Sequence, residues 1–333
     1  MLFVDSPKPT AAGAAPGLVG IARMAAESEV LDAKKVVEYF EIGCRTLLNR
    51  PRPGLPFAWS INPYRGCEFG CRYCYARYTH EFMELRESEE FEKRIFAKSG
   101  VAEALRRDLK KLRAGEGVAI GTATDPYQPA ERRYGRTRAM LEVFAEGGGR
   151  EIAVTTKSDL VKRDAALLAE IGKRNSVSVN ITITTLDAGL ARLLEPKAPR
   201  PELRLGAVEA LAKAGVAVGV FANPVMPLIT DQEAKLDRLA KAARDRGAEW
   251  FGGGTLFLQP CARRVFFPFV AQHYPHLLRR YEERFGESAY LRGAYADAIR
   301  ERVAAIRERY GLRGGPERRR PEPGTVSAQQ WLF

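Results

Sequence analysis

Short apolar runs rich in β-branched residues alternate with longer stretches of helical periodicity along most of this 333-residue chain. The strand-like runs lie at 57–62, 117–124, 150–156, 176–184, 216–222 and 249–258. The helix-like stretches lie near 90–114, 136–146, 159–173, 187–213 and 231–246. A parallel strand needs a long connection to return to its sheet, and a helix supplies one. The alternation therefore predicts an α/β fold with a parallel sheet, as an α/β barrel or an open doubly wound sheet.

Polar residues follow the apolar runs where each strand should end. The chain reads TATDPYQ after the second strand, TTKSD after the third, TITTLD after the fourth and FANP after the fifth. Each stretch alone is typical of an ordinary polar loop. Because function gathers at the carboxyl ends of parallel strands, together they predict a pocket lined by hydroxyls and by polar side chains such as Asp125, Lys157 and Asn223.

The two ends of the chain differ in composition from this alternating middle. Residues 1–45 are rich in Ala, Gly and Pro and then helical in pattern at AKKVVEYFEI, which predicts an arm packed on a barrel formed by residues 46–260. Residues 261–312 predict one or two helices that cover the open side of the barrel. The Arg- and Pro-rich residues 313–333 predict a basic mobile tail.

Neither a secretion signal nor a membrane span is apparent in the sequence. The first twenty residues lack a basic start, and Pro and Gly break their apolar stretch. No charge-free apolar run reaches eighteen residues. A chain of this length can bury a large core, so it does not need a disulfide framework. We expect a soluble cytoplasmic protein with reduced cysteines.

Three of the five cysteines fall within eight positions, in the stretch CEFGCRYC that holds Cys67, Cys71 and Cys74. A structural zinc site is one interpretation, but such a site normally has four ligands. Cys44 lies well upstream, and His80 follows at a spacing that no common zinc finger uses. We expect His80 to be an ordinary solvated or capping side chain. Three thiolates also suit a cubane iron-sulfur cluster in which one iron is left open to bind another group.

The longer string WSINPYRGCEFGCRYCYAR, residues 59–77, has the C-x3-C-x-aromatic-C form of the radical S-adenosylmethionine (radical SAM) enzymes. It resembles in particular the branch related to spore photoproduct lyase, and the resemblance extends from about Arg45 to Pro260. The resemblance implies a partial (β/α)6 TIM-type barrel with an N-terminal arm and a C-terminal helical extension. It also implies a [4Fe-4S] cluster on the three clustered cysteines, S-adenosylmethionine as cofactor and a flavodoxin or ferredoxin as electron donor.

The same resemblance assigns residues to the binding of S-adenosylmethionine. Tyr73, between the last two cysteines, would pack beside the adenine, and its alternative role is that of a plain core aromatic. The stretch from Thr122 through Thr124 to Asp125 occupies the position that meets the methionine amino group in this superfamily. Lys157, after the third strand, would neutralise the carboxylate.

Two further assignments concern the nucleoside half of the cofactor. Thr184, at the end of the fourth strand, matches a hydroxyl that contacts the ribose in the lyase relatives. Asn223, followed by Pro224, matches a backbone turn that lies against the adenosine. Alternatively, Lys157 is an ordinary surface charge and Thr184 is a strand hydroxyl without a role in binding.

The implied reaction is reductive cleavage of S-adenosylmethionine to methionine and a 5′-deoxyadenosyl radical, which abstracts hydrogen from a substrate. In spore photoproduct lyase a cysteine near the end of the second strand returns hydrogen to the product, whereas this chain has Thr122 there. A threonine O–H bond is too strong for that role. Cys261, just beyond the sixth strand, and Tyr127, after the second, are the other candidate donors. The alternative for Cys261 is a buried small hydrophobe.

The charge balance bears on the substrate. The chain has 53 Lys and Arg against 41 Asp and Glu, a net charge of +12. This balance favours a phosphate-rich partner, so a nucleic acid is the expected substrate, although a solvated Arg-rich surface has the same composition. Two alternatives stay open: a radical SAM enzyme acting on a peptide or small metabolite, and a non-catalytic iron-sulfur or zinc protein that binds nucleic acid.

Overall fold

The computed structural model describes residues 17–33, 36–51, 55–113 and 115–316. Its ten strands are β1 (Glu29–Ala33), β2 (Glu38–Gly43), β3 (Trp59–Ile61), β4 (Tyr64–Arg65), β5 (Arg94–Ser99), β6 (Gly117–Ile120), β7 (Glu151–Thr156), β8 (Ser176–Thr182), β9 (Ala217–Phe221) and β10 (Trp250–Gly252). The α-helices among the described residues are α1 (Gly20–Ala26), α2 (Tyr78–Glu81), α3 (Glu90–Lys93), α4 (Val101–Leu109), α5 (Glu131–Tyr134), α6 (Arg136–Glu146), α7 (Ala165–Gly172), α8 (Ala188–Leu194), α9 (Pro201–Lys213), α10 (Glu233–Asp245), α11 (Pro260–His273), α12 (Leu278–Phe285) and α13 (Ala294–Arg309).

Six parallel strands form the larger sheet, in the order β10-β9-β8-β7-β6-β3. Each lies inside one of the six predicted strand regions, so the α/β prediction is confirmed and the sheet is the partial TIM-type barrel that the sequence resemblance implied. The core residues of these strands are mainly Val and Ile, which pack into one core with the surrounding helices. Near-continuous apolar strands are expected when both faces of a parallel sheet are covered.

Strand β6 ends at Ile120, four residues before the predicted end at residue 124. Gly121 causes the early stop, because it has φ +89° and a Cβ there would lie 2.4 Å from the carbonyl oxygen of Thr155. Only glycine tolerates both conditions. The turn frees the TATD stretch from the sheet and places it above the strand ends.

A second sheet of four strands, in the order β1-β2-β5-β4, was not predicted. The helical prediction for AKKVVEYFEI is wrong, because residues 38–43 form β2 and pair in parallel with β5. The predicted helix at 90–114 is also wrong in its first half, since β5 separates α3 from α4. In β2, Phe40 and Ile42 pack with Phe96, whereas Tyr39 packs with Ile95 on the other face. Both faces of this sheet are therefore buried, as a strand with this alternation allows.

The described residues after the barrel, up to residue 316, form three α-helices, where one or two were predicted. Val303 and Ile306 of α13 are buried, and α13 packs against α10 and β10. Beyond α13, Arg313 forms a parallel bridge with Trp250 and so extends the sheet past β10. The division into arm, barrel, cover and tail stays a prediction, and residues 1–16 and 317–333 lie outside the described part of the chain. No helix in that described part is long and apolar enough to cross a membrane.

Candidate active site

The three clustered cysteines lie on a loop that leaves β3, forms β4 and turns at Gly66. Gly66 has φ +78°, and a Cβ at this position would lie 2.6 Å from the carbonyl oxygen of Arg94. The backbone N–H of Cys67 donates to the carbonyl of Phe91 at 2.8 Å. Cys67 and Cys71 are each 8% exposed. The loop is therefore pressed against α3 and the start of β5, and glycine is required where it turns.

Two buried polar side chains hold this loop, and the sequence analysis missed both. Gln128 donates from Nε2 to the carbonyl of Gly66 at 3.0 Å and accepts at Oε1 from the N–H of Glu68 at 3.0 Å. Arg77 donates to the carbonyl of Cys71 at 3.1 Å and pairs with Glu92. Buried polar groups with several fixed partners make a loop rigid.

The thiols of Cys67, Cys71 and Cys74 interact electrostatically with one another, and burial raises the pKa of each. For Cys71 the pKa is raised to about 12, because burial outweighs the opposing effect of the Lys157 ammonium. Iron binding requires thiolates, so a cationic centre is needed to deprotonate this set. Two buried thiols and the partly buried thiol of Cys74, all on one rigid loop, match the donor set of an iron-sulfur cluster. Among the residues described, no three His, Cys, Asp or Glu side chains lie close enough together to hold a single metal ion.

Asp125 joins the ends of β6 and β7. Its carboxylate accepts from the hydroxyl of Thr156 at 2.6 Å, the N–H of Lys157 at 2.7 Å and the N–H of Tyr127 at 2.9 Å. The ammonium of Lys157 lies 5.7 Å from the ring centre of Tyr73. The predicted residues Asp125, Lys157 and Tyr73 are thus brought together beside the cysteine loop.

Asn62, at the end of β3, fixes the TATD stretch, and sequence analysis missed it too. Its Oδ1 accepts from the N–H groups of Ala123 at 2.8 Å and Thr124 at 3.2 Å, and its Nδ2 donates to the hydroxyl of Thr122 at 3.2 Å. The Thr124 hydroxyl donates to the carbonyl of Tyr64 at 3.2 Å. Both threonine hydroxyls therefore have partners within the protein.

A buried ion pair lies behind Tyr73. Glu195 and Arg204 are 2.5 Å apart with side chains 0% and 1% exposed, and Glu195 also accepts hydrogen bonds from the hydroxyls of Tyr73 and of Thr184, the latter at 3.1 Å. Burial alone would raise the pKa of Glu195, but Arg204 and Lys157 bring the pKa below its usual value. The pair fixes Tyr73 and the predicted ribose contact Thr184 relative to each other.

Of the remaining predicted residues, Cys261 lies beside the end of this loop, whereas Tyr127 and Asn223 lie apart from it. Tyr127 is 1% exposed and belongs to the core between the sheet and the helices. Asn223 is exposed, accepts from the N–H of Gly254 at 2.6 Å and lines a separate pocket of about 590 Å³. Cys261 is 4% exposed at the start of α11, and its thiol donates to the carbonyl of Tyr75 at 3.5 Å.

His80 is buried rather than solvated, so that expectation was wrong. Its Nε2 lies 3.0 Å from the carbonyl oxygen of Arg94, and its ring contacts Phe91 and Phe96. Burial lowers the pKa of His80 to about 4. The neutral imidazole is therefore part of the packing beneath the cysteine loop.

The model of the Radical SAM superfamily matches residues 61–240. Uncharacterised proteins of Mycobacterium bovis and Mycobacterium tuberculosis are 35% identical over 328 residues, which is 96% of this chain and 95% of each relative. An uncharacterised protein of Methanocaldococcus jannaschii is 27% identical over 264 residues, which is 79% of this chain and 92% of that protein.

Two solved structures of spore photoproduct lyase mutants are similar in fold. One contains the dinucleoside spore photoproduct, and the other contains bound AdoMet together with that lesion. Both structures have a TM-score of 0.64 and cover 89% of this chain. The first is 17% identical and is covered over 83% of its own length, and the second is 18% identical and is covered over 84%.

Proposed function

We propose that this protein, which belongs to the radical SAM superfamily, holds a [4Fe-4S] cluster on Cys67, Cys71 and Cys74 and cleaves S-adenosylmethionine reductively. The observation that carries the proposal is the set of three thiols on one rigid loop, two of them buried and that of Cys74 partly buried, with the Lys157 ammonium acting electrostatically on Cys71. When bound, the cluster supplies the electron for cleavage to methionine and a 5′-deoxyadenosyl radical.

The residues of the chain bind and orient the cofactor in this proposal. Lys157 neutralises the carboxylate of S-adenosylmethionine, and Tyr73, held by Glu195, packs beside its adenine. Thr184 lies near the ribose. Asp125 fixes the backbone around Lys157, since it bonds to the ends of two neighbouring strands.

Thr122 and Thr124 act through the backbone shape of the TATD stretch, because Asn62 holds that backbone and the Thr124 hydroxyl donates to a carbonyl within the protein. Asn223 would meet the adenosine through its backbone. The reducing electron comes from an external protein, for which a flavodoxin or ferredoxin is proposed.

Metal and sulfide content tests the ligand set. Protein purified without air is expected to contain about four irons and four sulfides per chain. One zinc per chain and no labile sulfide would contradict the cluster.

The proposed substrate is a nucleic acid, and an exposed row of aromatic rings supports this class. The row begins at Tyr75, next to Cys74, continues to Phe257 with ring centres 5.8 Å apart, and reaches Tyr290 after a further 4.5 Å. Tyr75 and Tyr290 are 40% and 52% exposed, and the guanidinium of Arg292 lies 5.4 Å from the Tyr290 ring. Exposed rings accompanied by arginine are the usual platform for unpaired bases.

Binding of a fluorescent single-stranded oligonucleotide tests the substrate class. Replacing Tyr290 by Ala should weaken binding by about 5- to 160-fold, because stacking contributes roughly 1–3 kcal/mol per base. Phe82→Ala is the matched control, since Phe82 is 60% exposed and its ring meets that of Tyr78 edge-on, outside the row. Equal effects of the two changes, or no salt-dependent binding to any strand, would favour a peptide or metabolite substrate.

The donor that returns hydrogen to the substrate radical is proposed to be Cys261, because its thiol contacts the residue that follows Cys74. Tyr127 has no part in the proposed site, since its phenol is enclosed in the core. Cys261→Ala is expected to keep iron and cleavage of S-adenosylmethionine but to change or stall the product. The same product at the same rate would make Cys261 purely structural.

A further inference from the structure

Two cations of the four-stranded sheet lie on one face beside Cys44. Arg65 of β4 is the cross-strand partner of Phe96 in β5, and Lys98 comes two residues later, so both side chains emerge on the same side of the sheet. Lys98 is also the partner of Ile42 in β2, two residues before Cys44. The thiol of Cys44 interacts electrostatically with both cations.

Neither cation has a carboxylate partner among the residues that the structure describes. Lys98 is only 9% exposed, and the Nε of Arg65 is buried without an acceptor. Two nearby arginines do have carboxylate partners, because Arg94 lies 3.7 Å from each of two glutamate carboxylates and Arg77 pairs with Glu92.

A buried ammonium without a counter-ion is unfavourable, since it loses its hydration and gains no partner. The pKa of Lys98 is accordingly lowered to about 8, first by burial and then by Arg65, with Cys44 opposing the effect. The guanidinium of Arg65 cannot lose its charge by releasing a proton, because arginine stays protonated in proteins. Asp108 also interacts electrostatically with Cys44, but it forms no ion pair with Arg65 or Lys98, so two cations on one face without a carboxylate partner favour the binding of an anion.

We propose that Arg65, Lys98 and Cys44 form a binding site for a phosphate dianion, either free or as the terminal phosphate of a nucleotide. A phosphate monoester carries about −1.5 to −2 charges at neutral pH, which matches two cations, whereas a carboxylate carries one. A guanidinium fork binds two phosphate oxygens, and an ammonium neutralises the remaining charge. A phosphate can reach the site from solvent beside Arg65 and Cys44, because both residues are partly exposed.

This site goes beyond the proposed reaction, because it lies on the smaller sheet and uses none of the residues assigned to S-adenosylmethionine. It is connected to the cysteine loop through the backbone, since Arg65 directly precedes Gly66 and Cys67. Bound phosphate therefore fixes the start of the loop that carries the cluster ligands.

Thermal unfolding of the cluster-containing protein tests the site. Sodium phosphate is compared with sodium chloride and sodium acetate at equal ionic strength. At a phosphate concentration ten times its dissociation constant, the midpoint temperature of unfolding should rise by about 2 °C relative to chloride. Lys98→Met should abolish this shift while remaining at least as stable as wild type in chloride, because it removes an unpaired buried charge. Lys110→Met, at an exposed lysine, should retain the full shift.

A second measurement uses the wild-type protein alone. Phosphate should protect Lys98, but not Lys110, from acetylation by acetic anhydride, as followed by mass spectrometry. If thymidine 5′-monophosphate protects Lys98 better than phosphate does, and thymidine does not protect it, the site binds a nucleotide. If thymidine 5′-monophosphate and phosphate protect Lys98 equally, the site binds the free ion. The proposal is overturned by an undiminished phosphate shift in Lys98→Met, or by a wild type that shows neither a shift nor protection.

Discussion

Replacing Glu195 by Gln should destabilise the protein by about 3 kcal/mol, because the change leaves the guanidinium of Arg204 buried without its counter-charge. The two groups are 2.5 Å apart and their side chains are essentially inaccessible to water. Arg204 cannot turn to solvent, since it also donates to the carbonyls of Pro199 at 2.8 Å and Thr182 at 3.1 Å. Gln keeps the volume of Glu, so no cavity contributes to the cost. Removing one partner of a buried pair typically costs roughly 3–5 kcal/mol.

Urea unfolding followed by circular dichroism measures this change. Asp245→Asn is the matched control, because Asp245 and Lys241 form a pair of similar length, 2.7 Å, with both side chains more than half exposed. Exposed pairs contribute little, so this variant should unfold close to wild type. The reasoning fails if Glu195→Gln and Asp245→Asn unfold at the same urea concentration. Glu195→Gln should also lower iron content, since Tyr73 of the cysteine loop is bonded to Glu195.

Three other outcomes are expected. Gly66→Ala should reduce both stability and iron content, because the new Cβ would lie 2.6 Å from a carbonyl oxygen. Gly70→Ala is the control and should cost only about 1 kcal/mol, because no atom lies nearer than 3.8 Å to its Cβ position. Equal losses of iron and stability in the two variants would contradict this. The pKa of His80 is lowered from about 6.5 to about 4, so the stability that is present above pH 6.5 should fall by about 2 kcal/mol between pH 7 and pH 5. Urea unfolding at each pH measures this change. His80→Gln should flatten the pH dependence, whereas His276→Gln, at an exposed histidine, should leave it unchanged. Cys44→Ala should keep full iron content by metal analysis, whereas Ala at any of the three clustered cysteines should lose it; a Cys44 variant without iron would reveal a different ligand set.

The sequence predicted those features that a local pattern records. The six barrel strands were found because each lies in a short run rich in β-branched or aromatic residues, and the cysteine loop was found from its spacing. The smaller sheet was missed because β2 and β5 contain Glu, Lys and Ala as well as apolar residues, so their composition does not exclude helix. Their parallel pairing joins segments more than fifty residues apart, and no local period reports it.

The site residues that were missed also depend on distant partners. Gln128 and Asn62 act on backbone groups about sixty residues away, and neither stands out in its own segment. Arg204 did leave a signal, because it shares one helical stripe with the buried Val208 and Leu211. A charged residue on an apolar stripe indicates a buried partner, and Glu195 is that partner.

Cleavage of S-adenosylmethionine tests the central claim most directly. The protein, purified without air and reduced with dithionite, is incubated with S-adenosylmethionine, and 5′-deoxyadenosine is quantified by chromatography and mass spectrometry. The account predicts 5′-deoxyadenosine from the wild type and none above background from a variant with Cys71 replaced by Ala. A wild type that carries a full iron-sulfur cluster and forms no 5′-deoxyadenosine, with or without oligonucleotide, would contradict it.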